Sequence, residues 1–181
     1  MKNHLSNHID SDEERAEEKI IGILGGMGPE ATADLFYRII KATKVKRDQD
    51  YPRTIIYSNS KVPDRTPAVL GDGPNPLPEM VKAARALETA GADFIIIPCN
   101  TAHHFIGELR DNVGIPILHM IELTAKKVSR ELPGLKCAGL IATVGTVQSG
   151  IYDGVFHEQG IEIIVPQEDL QKASMEAIYE H

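Results

Sequence analysis

The sequence predicts an α/β protein built on a parallel sheet with helices on both faces. Short runs rich in Ile and Val alternate with longer amphipathic segments, the pattern of stacked βαβ units. The runs are short, mainly apolar and rich in Ile or Val, as strands covered on both faces should be. Small polar loops follow four of the runs, and ligands of such sheets bind at the carboxyl ends of strands. We therefore expect a three-layer αβα fold with a site at one sheet edge.

Six short apolar runs are predicted to be strands, because each is rich in β-branched residues and bounded by turn-forming residues. These runs are Ile20–Leu24, Thr54–Ser58, Phe94–Ile97, Ile117–Leu118, Cys137–Ala142 and Ile161–Val165. Each is too short for a buried helix.

The segments between the strands have helical periodicity. The predicted helices are Glu30–Ala42, Glu79–Ala90, Ala102–Asn112, Ile121–Glu131, Ile151–Gln159 and Glu168–Glu180. The periodicity is clearest in the second of them, where Gly91 supplies a C-terminal stop and one face collects Met80, Ala83, Ala84 and Leu87.

Composition divides the chain into three segments. Residues 1–19 carry six acids against three bases and no hydrophobic periodicity, which predicts a disordered acidic tail. Residues 20–115 are predicted to form a first α/β domain, and residues 116–181 a partial second α/β domain. Leu132-Pro133-Gly134 breaks the pattern before the fifth strand. The partial second domain contains only the last two predicted strands after this break, and two strands with their helices are too few for a stable independent sheet.

Charge and hydropathy exclude several classes of partner. The formal net charge is −7 and the bases are scattered, which argues against a nucleic acid or an anionic membrane as partner. No apolar run approaches the ~20 residues of a membrane span. The polar start does not resemble a signal peptide, so we expect a cytoplasmic protein. In that reducing compartment a disulfide between the two cysteines is not expected.

Cys99 is the main candidate for chemistry. It lies between the strand DFIIIP and a helix predicted to start near Thr101, and the positive end of a helix favours a thiolate. The alternative is a small buried hydrophobic residue. Cys137 lies within a predicted strand, which favours a structural role.

Arg65 lies in the sequence PDRT, which has no obvious helical or strand pattern. An arginine in such a loop can hold a carboxylate through two parallel hydrogen bonds. The alternative is a solvated surface arginine. The neighbouring Pro63 makes the loop rigid, which slightly favours a binding role.

The glycine-rich loop after the first strand matches the dinucleotide pattern G-x-G-x-x-A from Gly26 to Ala31. The second strand ends without the acid that would bind a ribose hydroxyl, and Pro29 removes a helix-start amide. A nicotinamide enzyme is therefore a weak alternative. The adjacent His103 and His104 point in different directions on a helix, so they cannot both bind one metal ion, and the sequence predicts no metal site. His103 could tune the thiolate or be an ordinary helix residue.

Taken together, the loops resemble the aspartate racemase branch of the Asp/Glu racemases that work without pyridoxal phosphate. The motifs are GILGGMGPEAT, KRDQDYPRTII, VPDRT, ADFIIIPCNTAHHF, IPILHMIE and AGLIATVGT, which extend the likeness over residues 20–181. The resemblance implies two pseudo-symmetric Rossmann-like domains, the second incomplete here. It also implies a homodimer, no cofactor, and an active site between the halves with one cysteine from each.

The resemblance also implies a set of site residues. Cys99 is similar to the first-domain acid/base, which removes the α-proton while an opposite thiol delivers one to the other face. Arg65 would hold a carboxylate, and Asn100 and Thr101 would offer backbone amides and polar side chains. The full substrate-binding set implied is Met27, Asp64, Arg65, Thr66, Asn100, Thr101 and Ala102.

The chain departs from the family pattern near its end. The family's second cysteine, in a G-C-T-E-like loop, and a substrate-contacting lysine have no counterpart here, and Cys137 matches a mid-strand position. We therefore expect a truncated chain. Racemisation of aspartate or a related amino acid is the first hypothesis. The alternatives are a one-cysteine decarboxylase or isomerase of a small dicarboxylic acid, or an inactive remnant that binds a dicarboxylate or a partner subunit.

Overall fold

The structure is a computed structural model that describes residues 18–179. The strands in this range are β1 (Ile21–Gly25), β2 (Thr54–Ser58), β3 (Phe94–Ile96), β4 (Cys137–Gly139) and β5 (Glu162–Ile164). The α-helices in this range are α1 (Pro29–Ala42), α2 (Arg65–Leu70), α3 (Leu77–Thr89), α4 (Ile106–Arg110), α5 (Met120–Glu131), α6 (Val144–Gln148), α7 (Ile151–His157) and α8 (Glu168–Tyr179). Most of the predicted acidic tail, residues 1–17, lies outside the described residues.

The first sheet is parallel, with β1 between β2 and β3. Ile21 of β1 pairs with Thr54 of β2 on one side and with Phe94 of β3 on the other. The fourth predicted strand is reduced to a single parallel bridge between Ile95 and Ile117. The carboxyl ends of β1, β2 and β3 therefore share one edge, as the fold class predicts.

The second sheet contains β4 and β5, paired in parallel from Cys137–Glu162 to Gly139–Ile164. It is shorter than predicted, because regular pairing stops at Gly139. One further hydrogen bond, from the Leu140 amide to the Ile164 carbonyl at 2.8 Å, extends the ladder. Helices and parallel sheets together confirm the predicted α/β class, whereas the position of the domain boundary stays a prediction.

Two hydrophobic clusters lie under these sheets. The larger joins β3, α3 and α4, and buries the whole predicted face of α3: Met80, Ala83, Ala84 and Leu87. Full burial of Met80 or Leu87 contributes about 2 kcal/mol each. The smaller cluster joins α5, α7 and the second sheet around Ile121, Phe156 and Ile161.

Coverage of both faces of every strand was expected, and this was wrong for β2, β4 and β5. Ile56 and Tyr57 on β2 are exposed. In the second sheet α5 and α7 cover one face only, so Ile164 is 52% exposed and Ile141, just after β4, is 78% exposed. Cys137 is exposed as well. Within residues 18–179 no helix has the length and apolar character needed to span a membrane.

The predicted helix Ala102–Asn112 is divided into a 3₁₀ helix, Thr101–Phe105, and the short helix α4. The cause lies at His103. Its ring Nδ1–H donates to the Cys99 carbonyl at 2.7 Å, the oxygen that would accept an α-helical bond from the His103 amide. That amide instead donates to the Asn100 carbonyl at 3.0 Å, which gives the tighter turn.

Two short helices lie where loops were expected. Arg65 begins α2, and the Asp64 carboxylate caps it by accepting from the Thr66 amide at 3.1 Å. Val144 begins α6, and the Thr143 hydroxyl caps it by accepting from the Thr146 amide at 3.3 Å. The interpretation of PDRT as an irregular loop was therefore wrong. The two helices pack together so closely that a side chain at Gly145 would press on Thr66.

Candidate active site

A cavity of about 510 Å³ opens where the loops after β1, β3 and β4 meet the start of α2 and the end of α8. It is lined by Met27, Gly28, Asp64, Arg65, Thr66, Pro98, Cys99, Asn100, Thr101, Ile141, Ala142, Thr143, Thr146, Ile178 and Tyr179. Its size suits a small organic acid, and its walls offer one thiol, one guanidinium and several hydroxyls. This is the combination expected of a small-molecule site.

Seven of the eight predicted site residues line this one cavity: Met27, Asp64, Arg65, Thr66, Cys99, Asn100 and Thr101. The eighth, Ala102, is fully buried in the larger hydrophobic cluster and does not line the cavity. Segments separated by more than seventy residues along the chain are thus brought together, and the roles of the eight residues stay predictions.

The Arg65 guanidinium is held by backbone carbonyls. Nη1 donates to the Pro63 carbonyl at 3.0 Å, and Nη2 donates to the Met27 carbonyl at 3.3 Å. Its Nε is buried and has no hydrogen-bond partner among the described residues. A buried N–H without a partner is costly, and the carbonyls of Pro63 and Met27 hold the guanidinium in the cavity wall in spite of that cost.

Cys99 is half-buried in the loop after β3, where it lines the cavity while its carbonyl faces the protein. The carbonyl accepts the hydrogen bond from His103 Nδ1, so the ring fixes the backbone beside the thiol. A placement after the apolar run is the one predicted for a functional cysteine. Cys137, by contrast, is exposed on β4 and does not line the cavity.

His103 is a buried, neutral histidine that links the loop after β3 to the start of α5 by hydrogen bonds. The Met120 amide donates to its Nε2 at 3.1 Å, so that nitrogen must be the acceptor and Nδ1 must carry the proton. Burial lowers the pKa of His103 to about 4, and the neighbouring His119 and Arg110 act in the same direction. Its two hydrogen bonds are with backbone atoms, so it positions Cys99 through the main chain, and its ring also contacts the His119 ring with centroids 4.8 Å apart.

The neutrality of His103 predicts a loss of stability in mild acid. In the unfolded state the His103 ring takes up a proton near pH 6.5, whereas in the folded state it does so only near pH 4. Its contribution to the free energy of unfolding is therefore complete above pH 6.5 and is lost as the pH falls to 4. The shift corresponds to about 3 kcal/mol. Urea denaturation across this pH range should show that the free energy of unfolding falls more steeply with decreasing pH in the wild type than in His103→Asn.

The exposed neighbour supplies a matched control for this prediction. His104→Asn should keep the acid dependence of the wild type, because His104 is exposed next to the buried ring. If the free energy of unfolding depended equally on pH in the wild type and in His103→Asn, the neutral state of His103 would contribute nothing to the stability of the protein.

Thr143 and Thr146 line the cavity but were not among the predicted site residues, although the sequence places their loop, TVGT, at this edge of the sheet. Thr101 Oγ1 lies 2.7 Å from Thr146 Oγ1 and 3.3 Å from Thr143 Oγ1, and the last two are 3.1 Å apart. Each hydroxyl of this trio can donate once and accept once, which ties the loop after β3 to α6. The available signal was the sequence TVGT directly after a strand, where a threonine can cap a helix.

The far wall of the cavity comes from α8. Its Gln171 side chain donates to the Ala142 carbonyl at 2.8 Å, and its Met175 sulfur accepts from the Val144 amide at 3.2 Å. The Tyr179 hydroxyl lies 3.5 Å from Thr66 Oγ1. These contacts hold α8 against the loop after β4, so the end of the chain's described part contributes to the site.

Other candidate sites are weaker. A cavity of about 320 Å³ beside α5 is lined mainly by apolar side chains such as Leu118, Met120 and Leu123. Within the described residues, no group of three or more His, Cys, Asp or Glu side chains is placed to hold a metal ion. The cavity around Cys99 is therefore the candidate active site.

Comparison with known proteins identifies the family of the chain. The family model for Asp/Glu/hydantoin racemases matches residues 24–181. The broad specificity amino-acid racemase RacX of Bacillus subtilis is 38% identical over 153 residues, which are 80% of this chain and 63% of that protein. The chain thus spans less than two thirds of the length of this relative.

Solved structures give the same result. An aspartate racemase of Picrophilus torridus superposes with a TM-score of 0.77 at 32% identity, covering 88% of this chain and 73% of that one. An aspartate racemase homologue from Pyrococcus horikoshii superposes with a TM-score of 0.72 at 28% identity, covering 90% of this chain and 70% of that one. The match of sequence family and fold over most of the chain shows that it belongs to the Asp/Glu/hydantoin racemase family.

Proposed function

We propose that the chain acts on the α-carbon of aspartate or a related amino acid as a cofactor-independent racemase, with Cys99 as the acid/base. The observation that carries the proposal is the presence of the Cys99 thiol and the Arg65 guanidinium in the wall of one cavity. Membership of the racemase family supports it. Amino-acid racemases among the relatives, including RacX, support the same reaction class.

Substrate binding in this proposal begins at Arg65. A substrate carboxylate accepts from the remaining N–H of Nη2, the one that the Met27 carbonyl leaves free. This charge-assisted bond holds the carboxylate in the cavity and places the α-carbon. The carbonyls of Met27 and Pro63 prevent the guanidinium from turning away.

The chemical step is a proton transfer to sulfur. The Cys99 thiolate takes the proton from the α-carbon and becomes a thiol, and the electron pair of the C–H bond stays on the substrate. That charge is stabilised by fixed donors in the cavity wall, for which Asn100 and Thr101 are the candidates. Return of a proton from the same thiol restores the original configuration. Inversion requires a second acid on the opposite face.

Cys99 is the one thiol in the cavity wall that the described residues form. Cys99 alone therefore accounts for exchange of the α-proton with retention, and racemisation requires a second acid that reaches the opposite face of the α-carbon. The chain covers 63% of the length of RacX, so racemisation is proposed for the whole protein.

The test is to incubate the purified chain with L-aspartate in D₂O, follow the α-proton by NMR and assay chirality in the same sample. We expect loss of the α-proton signal. Retained L-aspartate would assign a one-sided base, and accumulation of D-aspartate would show two acids. No exchange with aspartate, glutamate or other amino acids would contradict the proposal.

The single thiol also favours a second candidate, decarboxylation of a malonate-like acid. That reaction needs one proton donor, because loss of CO₂ leaves a carbanion that the Cys99 thiol protonates. Release of CO₂ from a substituted malonate, without exchange of amino acids, would favour this function. Binding of a dicarboxylate without either reaction would identify a binding protein. A homodimer remains a proposal that rests on the family resemblance, and a cytoplasmic location remains a proposal that rests on the polar composition of the first residues.

A further inference from the structure

Tyr152 makes a contact with the candidate site from outside the cavity. It lies in the first turn of α7, and its hydroxyl donates to Oδ1 of Asn100 at 2.5 Å. Asn100 directly follows Cys99 and lines the cavity, whereas Tyr152 does not line it. The bond joins residues 52 positions apart, so it depends on the packing of α7 against the loop after β3.

This bond determines which way the Asn100 amide faces. A tyrosine hydroxyl next to a carbonyl oxygen donates, which fixes Oδ1 on the side of α7. The NH₂ group then lies on the other side of the amide, and within residues 18–179 it has no protein partner. Two N–H donors of Asn100, a residue of the cavity wall, are therefore left without a partner among the described residues.

The tyrosine is itself held in place. Its ring stacks on Phe156 of α7 with centroids 5.8 Å apart, and Phe156 is buried in the smaller hydrophobic cluster. Burial raises the pKa of Tyr152, so the hydroxyl keeps its proton and remains a donor at neutral pH. An amide held by one fixed donor keeps its orientation through the reaction at no cost in reorganisation.

We propose that Tyr152 is a positioning residue that turns the Asn100 amide so that its NH₂ group stabilises the negative charge formed when Cys99 removes the α-proton. The inference rests on the proposed function and adds a residue outside the cavity to it. The juxtaposition that carries it is the Tyr152–Asn100 bond beside the thiol.

Tyr152→Phe is the variant for the test, because it removes the hydroxyl and keeps the ring on Phe156. The first readout is the ¹⁵N–¹H pair of the Asn100 side chain, assigned by its disappearance in Asn100→Ala. We expect this pair to shift in Tyr152→Phe and to stay in place in Tyr37→Phe, a control on exposed α1. An unshifted pair in Tyr152→Phe would overturn the proposal.

The second readout is the rate of α-proton exchange. In Tyr152→Phe we expect kcat to fall about tenfold, with KM and the melting temperature nearly unchanged, because one charge-stabilising hydrogen bond is weakened. In an Asn100→Ala background the same substitution should change kcat less than about twofold. An equal fall in both backgrounds would overturn the proposal, since Tyr152 would then act by another route.

The two proposals fail in distinguishable ways. Addition of L-aspartate should shift the Asn100 pair in the wild type and shift it less in Tyr152→Phe, and neither observation needs turnover. If the wild type shows these shifts but no exchange, the proposed function fails while the positioning of Asn100 stands. If exchange depends on Cys99 but the Asn100 pair responds equally in both proteins, the inference about Tyr152 fails alone.

Discussion

Replacement of Cys99 by serine is expected to reduce the exchange of the substrate α-proton by at least about a thousandfold. Serine preserves the size and position of the side chain, but its hydroxyl holds its proton far more tightly than a thiol does. The general base is thereby lost, and a positioned base contributes about 10²–10⁴ in rate. The rate is measured by NMR in D₂O, with L-aspartate at saturating concentration.

The chain provides a matched control in its other cysteine. Cys137 is exposed on β4 and lies outside the cavity wall, so Cys137→Ser should leave the exchange rate within about twofold of the wild type. The interpretation of Cys99 as the base would be wrong if Cys99→Ser kept its activity. The same holds if both serine variants lost activity equally, because then a general thiol effect would be responsible.

Local pattern was sufficient to predict the parts of the fold where burial is periodic. The four apolar positions of α3 repeat at helical spacing, and all four are buried. The strands β1, β2 and β3 are continuous apolar runs, and they form the predicted parallel sheet. The position of a site at its carboxyl edge follows from topology alone, which is why the loops after β1 and β3 could be singled out.

The short helices could not be predicted by periodicity, because α2 and α6 contain six and five residues and complete fewer than two turns. Only their caps, Asp64 and Thr143, carried a signal. The 3₁₀ turn at Thr101–Phe105 depends on a contact between His103 and Met120, seventeen positions away. Tertiary contacts of that kind override local helix propensity, so no local pattern contains them.

The site was predicted from motifs in the three loops that carry its charged and nucleophilic groups. What the motifs left out is the wall built by the later part of the chain. Thr143, Thr146 and Tyr179 reach the cavity through the packing of α6 and α8 against earlier segments. A motif shows which residue types a loop contains, but only the folded structure shows which other loops lie opposite it.

Gly26→Ala is expected to destabilise the protein by at least about 3 kcal/mol, measured by urea denaturation. Gly26 has φ = +91°, a conformation that costs an L-residue with a side chain about 1–2 kcal/mol. A Cβ at this position would also overlap the backbone of Asn59, which cannot move as a side-chain end could. Gly107→Ala, in α4 with open space around it, should leave the stability unchanged or raise it by up to about 1 kcal/mol.

The same contact explains why this loop contains glycine at all. The dinucleotide-like pattern suggested a close approach to a pyrophosphate, but the neighbour that requires Gly26 is the chain's own backbone at Asn59. The Asn59 amide donates to the Gly25 carbonyl at 3.2 Å, so the loops after β1 and β2 touch here. That contact brings the Met27 carbonyl to Arg65.

A folded Gly26→Ala protein should therefore bind L-aspartate more weakly than Gly107→Ala, because separation of the loops releases the guanidinium. Equal affinity would show that Arg65 is positioned without this contact.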